Sequence, residues 1–238
     1  MRPGCRFLCA LALIAGAVPP ADAEDRSTDV NVVTAIDMSD SVSHGATHQE
    51  LTALAAALRS PEFAGAIGRG ARGRIGFMVF GWFQRRFPAV VDWRTIGSPA
   101  EARAAADAVE AFDFRAVEVS YRQSERFPIG RLTDLSGALD HGRGLLSAAP
   151  FAGDRGVLNV IGNGADNFGE EVDPAQARIL DAGFTVNAVV TDDDRELLRY
   201  FRRRVSGGWG SFTLVARPGA DLTAAMERKL EWDISAAR

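Results

Sequence analysis

The chain of 238 residues is 47% hydrophobic and 24% charged, an ordinary globular composition that excludes a disordered or fibrous protein. Its 27 basic and 31 acidic side chains give a formal charge of −4, so no strong basic field is available to hold nucleic acid. We therefore expect no nucleic-acid partner.

The first 23 residues have the pattern of a secretory signal peptide. A positively charged start precedes the uncharged apolar run 7–18, and Ala21 and Ala23 offer the small residues of a cleavage site. This run is shorter than the roughly 20 residues of a membrane span. We expect cleavage after Ala23, a single domain over residues 24–238 with no stable membrane span, and a periplasmic or secreted location.

Strands and helices alternate along the rest of the sequence. Short β-branched runs predict strands, and apolar residues at helical spacing, such as Leu51, Leu54 and Leu58, predict helices. The predicted elements in chain order are strand 31–36, helix 49–59, strands 75–80 and 87–93, helices 98–112 and 133–146, strand 157–161, helix 173–183, strand 184–190, helix 194–205, strand 211–216 and helix 221–232. Residues 113–130 have weak periodicity and are expected to be irregular.

This alternation predicts a three-layer, doubly wound α/β fold with helices on both faces of a mainly parallel central sheet. Pro88 indicates an edge position for strand 87–93, and one edge strand is expected to be antiparallel. Ligands of such sheets bind beyond the carboxyl ends of the strands. The loops 37–41 and 162–167 follow the two most strand-like runs, so we expect the functional site there.

The first of these loops reads Asp37-Met38-Ser39-Asp40-Ser41, a D-x-S-x-S motif directly after a strand. Alternate residues of a tight loop can direct three oxygens to one point, and hard cations such as Mg²⁺ prefer oxygen ligands. Serine and aspartate also occupy loops and helix caps, so a polar turn that caps the next helix is the alternative interpretation.

In the order of its elements and in this motif, the sequence resembles the von Willebrand factor A (VWA) domain. The metal-ion-dependent adhesion site (MIDAS) of that domain begins with D-x-S-x-S and is completed by a later threonine and by an aspartate after the fourth strand. Thr133, followed by Asp-Leu-Ser-Gly-Ala-Leu, stands where the resemblance puts the threonine. More narrowly, the chain is similar to a bacterial family of secreted VWA-like proteins without an assigned function, on segments 91–93, 157–161 and 228–232.

One position departs from the VWA pattern. The motif after the fourth strand usually contains an Asp-Gly pair, and here it reads Ile-Gly-Asn163-Gly. Asn163 can accept a hydrogen bond from a metal-bound water but brings no charge, which removes an attraction of about 1–4 kcal/mol. The resemblance implies the metal-site residues Asp37, Ser39, Ser41, Thr133 and Asn163.

Three further acids, Asp40, Asp134 and Asp166, are near enough in sequence to give electrostatic support to a cation. The alternative is that all three are ordinary solvated loop acids. Mg²⁺ is the expected ion, with Mn²⁺ and Ca²⁺ as alternatives, and a vestigial site without any ion remains open because of Asn163.

Two other patterns lack the context that their chemistry requires. The glycines of segment 68–73 match G-x-G-x-x-G but follow a helix and lead into a strand, the reverse of a dinucleotide site. His44 and His48 are four residues apart without the glutamate of H-E-x-x-H or a clustered third ligand, so we expect no zinc site.

Together these features predict an exported, non-enzymatic binding module that captures an acidic group of a protein partner through a divalent cation. The alternative is a metal-free interaction or structural protein on the same fold. A metal-assisted hydrolase is a third hypothesis, but it needs a general base poised by the metal, and no motif supports one.

Overall fold

The computed structural model describes residues 27–124, 132–217 and 220–235, so the predicted signal peptide lies outside the described residues. The helices are α1 His44–Leu58, α2 Pro61–Gly68, α3 Pro99–Glu110, α4 Phe114–Ser124, α5 Leu135–Ser147, α6 Val172–Asp181, α7 Arg195–Tyr200, a π-helical turn Phe201–Val205, and α8 Ala220–Ser235. The strands are β1 Ser27–Thr28, β2 Asn31–Asp37, β3 Ile75–Trp82, β4 Ala89–Ile96, β5 Ala152–Gly153, β6 Gly156–Gly162, β7 Thr185–Val190 and β8 Thr213–Val215. Over the described ranges, no helix has the length and apolar character needed to cross a membrane.

Six strands form the central sheet in the order β4-β3-β2-β6-β7-β8. All neighbours are parallel except β3 and β4, which pair antiparallel at one edge. Pro88, which has no amide hydrogen to donate, directly precedes the edge strand. The predicted α/β fold with one antiparallel edge strand is confirmed. The short strands β1 and β5 form a separate parallel pair.

Alternate side chains of the central strands enter two hydrophobic cores. In β2, Val32 and Ile36 belong to the core shared with α1, α2, α3 and α8, whereas Val33 and Ala35 belong to the core shared with α5 and α6. All seven residues of β2 are buried, as expected for a central parallel strand covered on both faces. The sheet is therefore the middle of three layers, and its strand ends are what the site is built on.

Helix α4 lies within residues 113–130, which were expected to be irregular, so that prediction is wrong. Phe114, Val117 and Tyr121 share one face of this helix, and Phe114 is buried. Val119 is 51% exposed on another face, and an apolar residue there obscures the helical periodicity of the sequence.

Some boundaries also differ from the predicted ones. Helix α1 begins at His44, five residues before the predicted start, because the Ser43 hydroxyl caps it by accepting a hydrogen bond from the Ala46 amide. The intervening residues are too polar to show an apolar stripe. The last strand, β8, has only three of the six residues predicted for it.

Candidate functional site

The two candidate loops leave the sheet side by side, from the carboxyl ends of β2 and β6. Ile36 pairs with Ile161, so Asp37 and Gly162 follow next in register. A Cβ at Gly162 would lie 3.2 Å from Asp37 Oδ2, so glycine leaves room for this carboxylate. Asp37 is fully buried, and its Oδ1 accepts a hydrogen bond of 2.8 Å from the Ser39 amide, which folds the loop back over the acid.

A series of hydrogen bonds, here called the hydroxyl chain, joins Thr133, Ser39, Ser41 and Asn163. Thr133 Oγ1 donates to Ser39 Oγ (3.2 Å), the two serine hydroxyl oxygens are 2.9 Å apart, and Ser41 Oγ donates to Asn163 Oδ1 (3.0 Å). Thr133 and Ser39 are buried, whereas Ser41 is exposed. The structure thus brings together all five residues that the VWA resemblance named for the metal site.

The donor set consists of one carboxylate, three hydroxyls and one amide oxygen. These are hard oxygen ligands, which suit Mg²⁺, Mn²⁺ or Ca²⁺. The three hydroxyl oxygens lie 2.9 and 3.2 Å from their neighbours, close to the spacing of adjacent oxygen ligands around a small cation, so these donors fit such an ion. The described part of the chain has no group of three or more His, Cys, Asp or Glu side chains placed to hold a metal, so a cation here would depend on hydroxyls.

Glycine also covers the open side of this cluster. A Cβ at Gly164 would lie 3.5 Å from both Ser41 Oγ and Thr133 Oγ1. Any larger residue would therefore place its side chain against two of the candidate ligands. Asn163 is fixed from the same loop, because its amide nitrogen donates to the Ser41 carbonyl (3.2 Å) in addition to the bond its amide oxygen accepts.

Thr133 lies before helix α5 rather than within it, so the predicted start of helix 133–146 is two residues early. Asp134 is the N-cap and accepts a hydrogen bond from the Gly137 amide (2.9 Å). Asn167 holds Thr133 in place: its side-chain Oδ1 accepts from the Thr133 backbone amide (2.8 Å), and its backbone amide donates to the Thr133 carbonyl (3.0 Å). The sequence analysis missed this role, since one asparagine in a polar loop carries no distinctive signal.

Two of the three supporting acids bind the start of α5 rather than the hydroxyl chain. Besides capping the helix, Asp134 accepts from the Arg85 amide (2.6 Å), and Asp166 accepts from the Leu135 amide (2.5 Å). Negative charge is favourable at a helix N-terminus. Burial raises the pKa of Asp166 to about 6, against the opposing effect of its hydrogen bonds from backbone amides. Asp40 is exposed in the motif loop, and electrostatic support from all three acids stays a prediction.

Glu50 of α1 is an acid that the sequence analysis missed. It is only 2% exposed, and its Oε1 accepts a hydrogen bond of 3.0 Å from Thr191, directly after β7. Burial and, secondly, the charge of Asp37 raise the pKa of Glu50 to about 8, against the opposing hydrogen bond. Glu50, Leu54 and Leu58 occupy positions i, i+4 and i+8 of one buried face, so a charged residue within an apolar stripe was the available signal.

A groove of about 640 Å³ opens beside Asn163, between its loop and helix α7. Its lining includes Tyr200, three arginines and three acids, Asp192, Asp194 and Glu196. Arg199 and Arg204 form ion pairs with acids, whereas Arg203 is exposed and forms no ion pair with any described residue. The groove therefore combines acids with one arginine, Arg203, that has no ion-pair partner among the described residues.

The remaining motifs lie apart from this cluster. His44 Nε2 is 2.7 Å from Glu118 Oε2, and its ring is tilted against that of Phe114, whereas His48 is exposed. The glycines of segment 68–73 connect α2 to β3, the helix-to-strand connection that was predicted.

Comparison with protein families matches residues 27–238 to the family model described as "Protein of unknown function (DUF1194)". No curated protein matches the chain.

Three solved structures illustrate the likeness in fold. The pilus adhesin SpaC from Lactobacillus rhamnosus GG has a TM-score of 0.56 at 14% identity, over 87% of this chain and 31% of the adhesin. The vWF domain of the type V pili tip protein Mfa5 from Porphyromonas gingivalis has a TM-score of 0.54 at 12% identity, over 86% of this chain and 95% of that domain. Proximal thread matrix protein 1 from the mussel byssus, with a zinc-occupied MIDAS motif, has a TM-score of 0.53 at 16% identity, over 87% of this chain and 46% of that protein.

This chain therefore spans about a third of the length of the adhesin and less than half of the byssus protein. At these identities the likeness concerns the fold, which is that of a VWA-like domain.

Proposed function

The chain belongs to the DUF1194 family of proteins of unknown function, and we propose that it is a VWA-like binding module that captures an acidic group of a protein partner through a divalent cation. The hydroxyl chain carries this proposal. Three hydroxyls and an amide oxygen meet beside the buried carboxylate of Asp37 at the carboxyl edge of the sheet, where α/β folds bind ligands.

Asp37, Ser39, Ser41 and Thr133 would hold the cation, and Asn163 would orient a water bound to it. A bound divalent cation supplies a positive centre that attracts a carboxylate. Since Asp37 is the only carboxylate among these direct ligands, they neutralise only part of that positive charge. The exposed side, where Ser41 and Asn163 lie, is where the partner would approach.

The groove beside Asn163 offers a partner one further contact at Arg203, within a lining that also contains the acids Asp192, Asp194 and Glu196. Arg203 lines it without an ion pair to any described residue, so a second acidic side chain of the partner would find a cation there. The signal-peptide pattern supports a periplasmic or secreted site of action. We propose no catalytic step for the protein.

One observation favours a second candidate, a metal-free interaction or structural protein. Both ends of the Asn163 amide are hydrogen-bonded to Ser41, at 3.0 and 3.2 Å, so this side chain is satisfied without an ion. In that case the same loops would contact a partner directly, and position 163 would mark a site that has lost its metal.

Calorimetric titration of the mature protein with Mg²⁺ and Mn²⁺ distinguishes the two candidates. The wild type should bind saturably, Asp37→Ala should abolish binding, and Asn163→Asp should strengthen it about ten- to several-hundred-fold by adding a charge near the ion. Asp181→Ala, an exposed acid at the end of α6, is the matched control and should bind like the wild type. Binding confined to Asn163→Asp would favour the metal-free candidate.

A further inference from the structure

We propose that Glu50 supplies the second negative charge of the cation site, in the role that an aspartate at position 163 would otherwise fill. The inference rests on the proposed function, because it concerns the affinity of the same site. The charge of Glu50 acts electrostatically on an ion that Asp37 holds. Glu50 is not a direct ligand, so it is a positioning residue.

Three neighbouring strand ends connect Glu50 to the site. Asp37 ends β2, Gly162 ends β6 and Thr191 follows β7, and these strands are adjacent in the sheet. The Thr191 amide donates to the Gly162 carbonyl (3.0 Å), and the Thr191 hydroxyl holds Glu50 Oε1 at 3.0 Å. The Glu50 carboxyl is thereby fixed on the α1 side of the edge that carries the hydroxyl chain.

The surroundings of Glu50 do not account for a buried acid. Its Oε2 is buried and forms no hydrogen bond with any described residue, and Glu50 forms no ion pair within the described ranges. An isolated buried carboxylate is strongly unfavourable. The neighbouring charge of Asp37 makes it more so, and the pKa of Glu50, raised first by burial and then by Asp37, agrees with this geometry.

A cation held by Asp37 reverses this balance, because it replaces a repulsive field at Glu50 with an attractive one. The carboxylate of Glu50 is then favourable, and by the same reciprocity it strengthens the hold on the ion. If Glu50 served only to link α1 to Thr191, a hydrogen-bond acceptor would be enough, and glutamine also provides one.

Glu50→Gln separates these two roles, because the amide oxygen keeps the acceptor for Thr191 while an uncharged amide nitrogen replaces Oε2 and removes the charge. We expect Glu50→Gln to weaken Mn²⁺ binding about ten-fold in calorimetry at neutral to mildly alkaline pH, while the melting temperature without metal stays equal or rises. Glu62→Gln, the same change at an exposed acid in the first turn of α2, should leave Mn²⁺ affinity within about two-fold.

Unchanged Mn²⁺ affinity in Glu50→Gln, or a lower melting temperature without metal, would overturn the inference and leave the proposed function standing. Comparing Glu and Gln at position 50 in an Asn163→Asp background separates the inference about Glu50 from the proposed function. If the wild type binds no Mn²⁺ but Asn163→Asp does, the proposed function fails, and a ten-fold weakening in Asn163→Asp/Glu50→Gln still supports the role of Glu50. If no Mn²⁺ binding is found in the wild type or in Asn163→Asp, both the inference and the proposed function are overturned.

Discussion

Two buried polar clusters lie on the same sheet, and the first of them contains a buried lysine paired with an acid. The first, here called the core cluster, consists of Thr34, Asn159, Asn187, Lys229 and Asp233. Lys229 Nζ lies 3.2 Å from Asp233 Oδ2, and both asparagine amides donate to the same carboxylate at 2.8 and 2.9 Å. Burial lowers the pKa of Lys229, and Asp233 opposes that shift. The only lysine of the sequence is thus used inside the fold.

The second cluster, here called the edge cluster, lies at the carboxyl edge of the sheet and consists of Asp37, Glu50 and the hydroxyl chain. The hydrogen-bond partners of Glu50 and of the hydroxyls are neutral, and Glu50 forms no ion pair with any described residue. A cluster that contains its own cation stabilises the fold, whereas a cluster of acids and hydroxyls at a strand edge is suited to take its cation from solution. Burial of polar groups alone does not identify a candidate site, and the feature that separates the two clusters is Glu50, a buried acid with no ion pair to any described residue.

The largest expected effect is on the core cluster. Lys229→Met removes the internal cation and leaves Asp233 buried without it, so we expect a loss of about 3–5 kcal/mol in the free energy of unfolding. Urea denaturation measures this, and Mn²⁺ affinity should not change. Arg228→Met removes an exposed positive charge one residue earlier in α8 and should cost less than about 0.5 kcal/mol. Equal stability of the two variants would contradict the distinction between the clusters.

The buried Glu50 of the edge cluster should make the stability of the fold depend on pH. Because the pKa of Glu50 is raised from 4.5 to about 8 in the folded state, the folded protein holds this proton more tightly than the unfolded chain. Stability from this group is full below pH 4.5 and is lost as the pH rises to about 8, by about 2–4 kcal/mol. Glu50→Gln should remove that fall in metal-free protein. A fall of the same size in the variant would assign it to another group.

The sequence could predict the edge cluster further than the core cluster. The D-x-S-x-S motif is visible in the sequence itself, the VWA resemblance implies Thr133 and Asn163, and the predicted strands place loops 37–41 and 162–167 at one edge. Glu50 and Asn167 gain their roles only from packing, because an acid in a helix and an asparagine in a loop are both common. The partners within the core cluster are up to 195 residues apart, a distance over which local patterns carry no information.

The fold likewise contains elements that the sequence predicts and one, α4, that it does not. The two-faced burial of β2 follows from an apolar run that any central parallel strand needs. Helix α4 was missed because its stripe of Phe114, Val117 and Tyr121 is offset by an exposed valine, and its position depends on tertiary contacts such as the edge-to-face packing of Tyr121 on Phe83.

The smallest expected effect compares two helix caps. Ser98→Ala at α3 should cost about 1 kcal/mol of unfolding free energy and Asp134→Ala at α5 about 2 kcal/mol, because each side chain accepts a hydrogen bond from a first-turn amide and Asp134 also accepts one from the Arg85 amide. Only Asp134→Ala should also weaken Mn²⁺ binding, by disturbing the adjacent Thr133. Thermal unfolding and calorimetry on the two variants measure both quantities. An equal effect on Mn²⁺ affinity would show that the α5 cap has no special connection to the site.

The central claim is that the hydroxyl chain and Asp37 form a cation site. Anomalous diffraction from a crystal of residues 24–238 soaked in Mn²⁺ tests it most directly. We predict a principal anomalous peak within ligand distance of Asp37, Ser39, Ser41 or Thr133, and its loss in Asp37→Ala crystals. A principal peak at other acids, such as the run Asp192 to Asp194, or no peak at saturating Mn²⁺, would contradict the account.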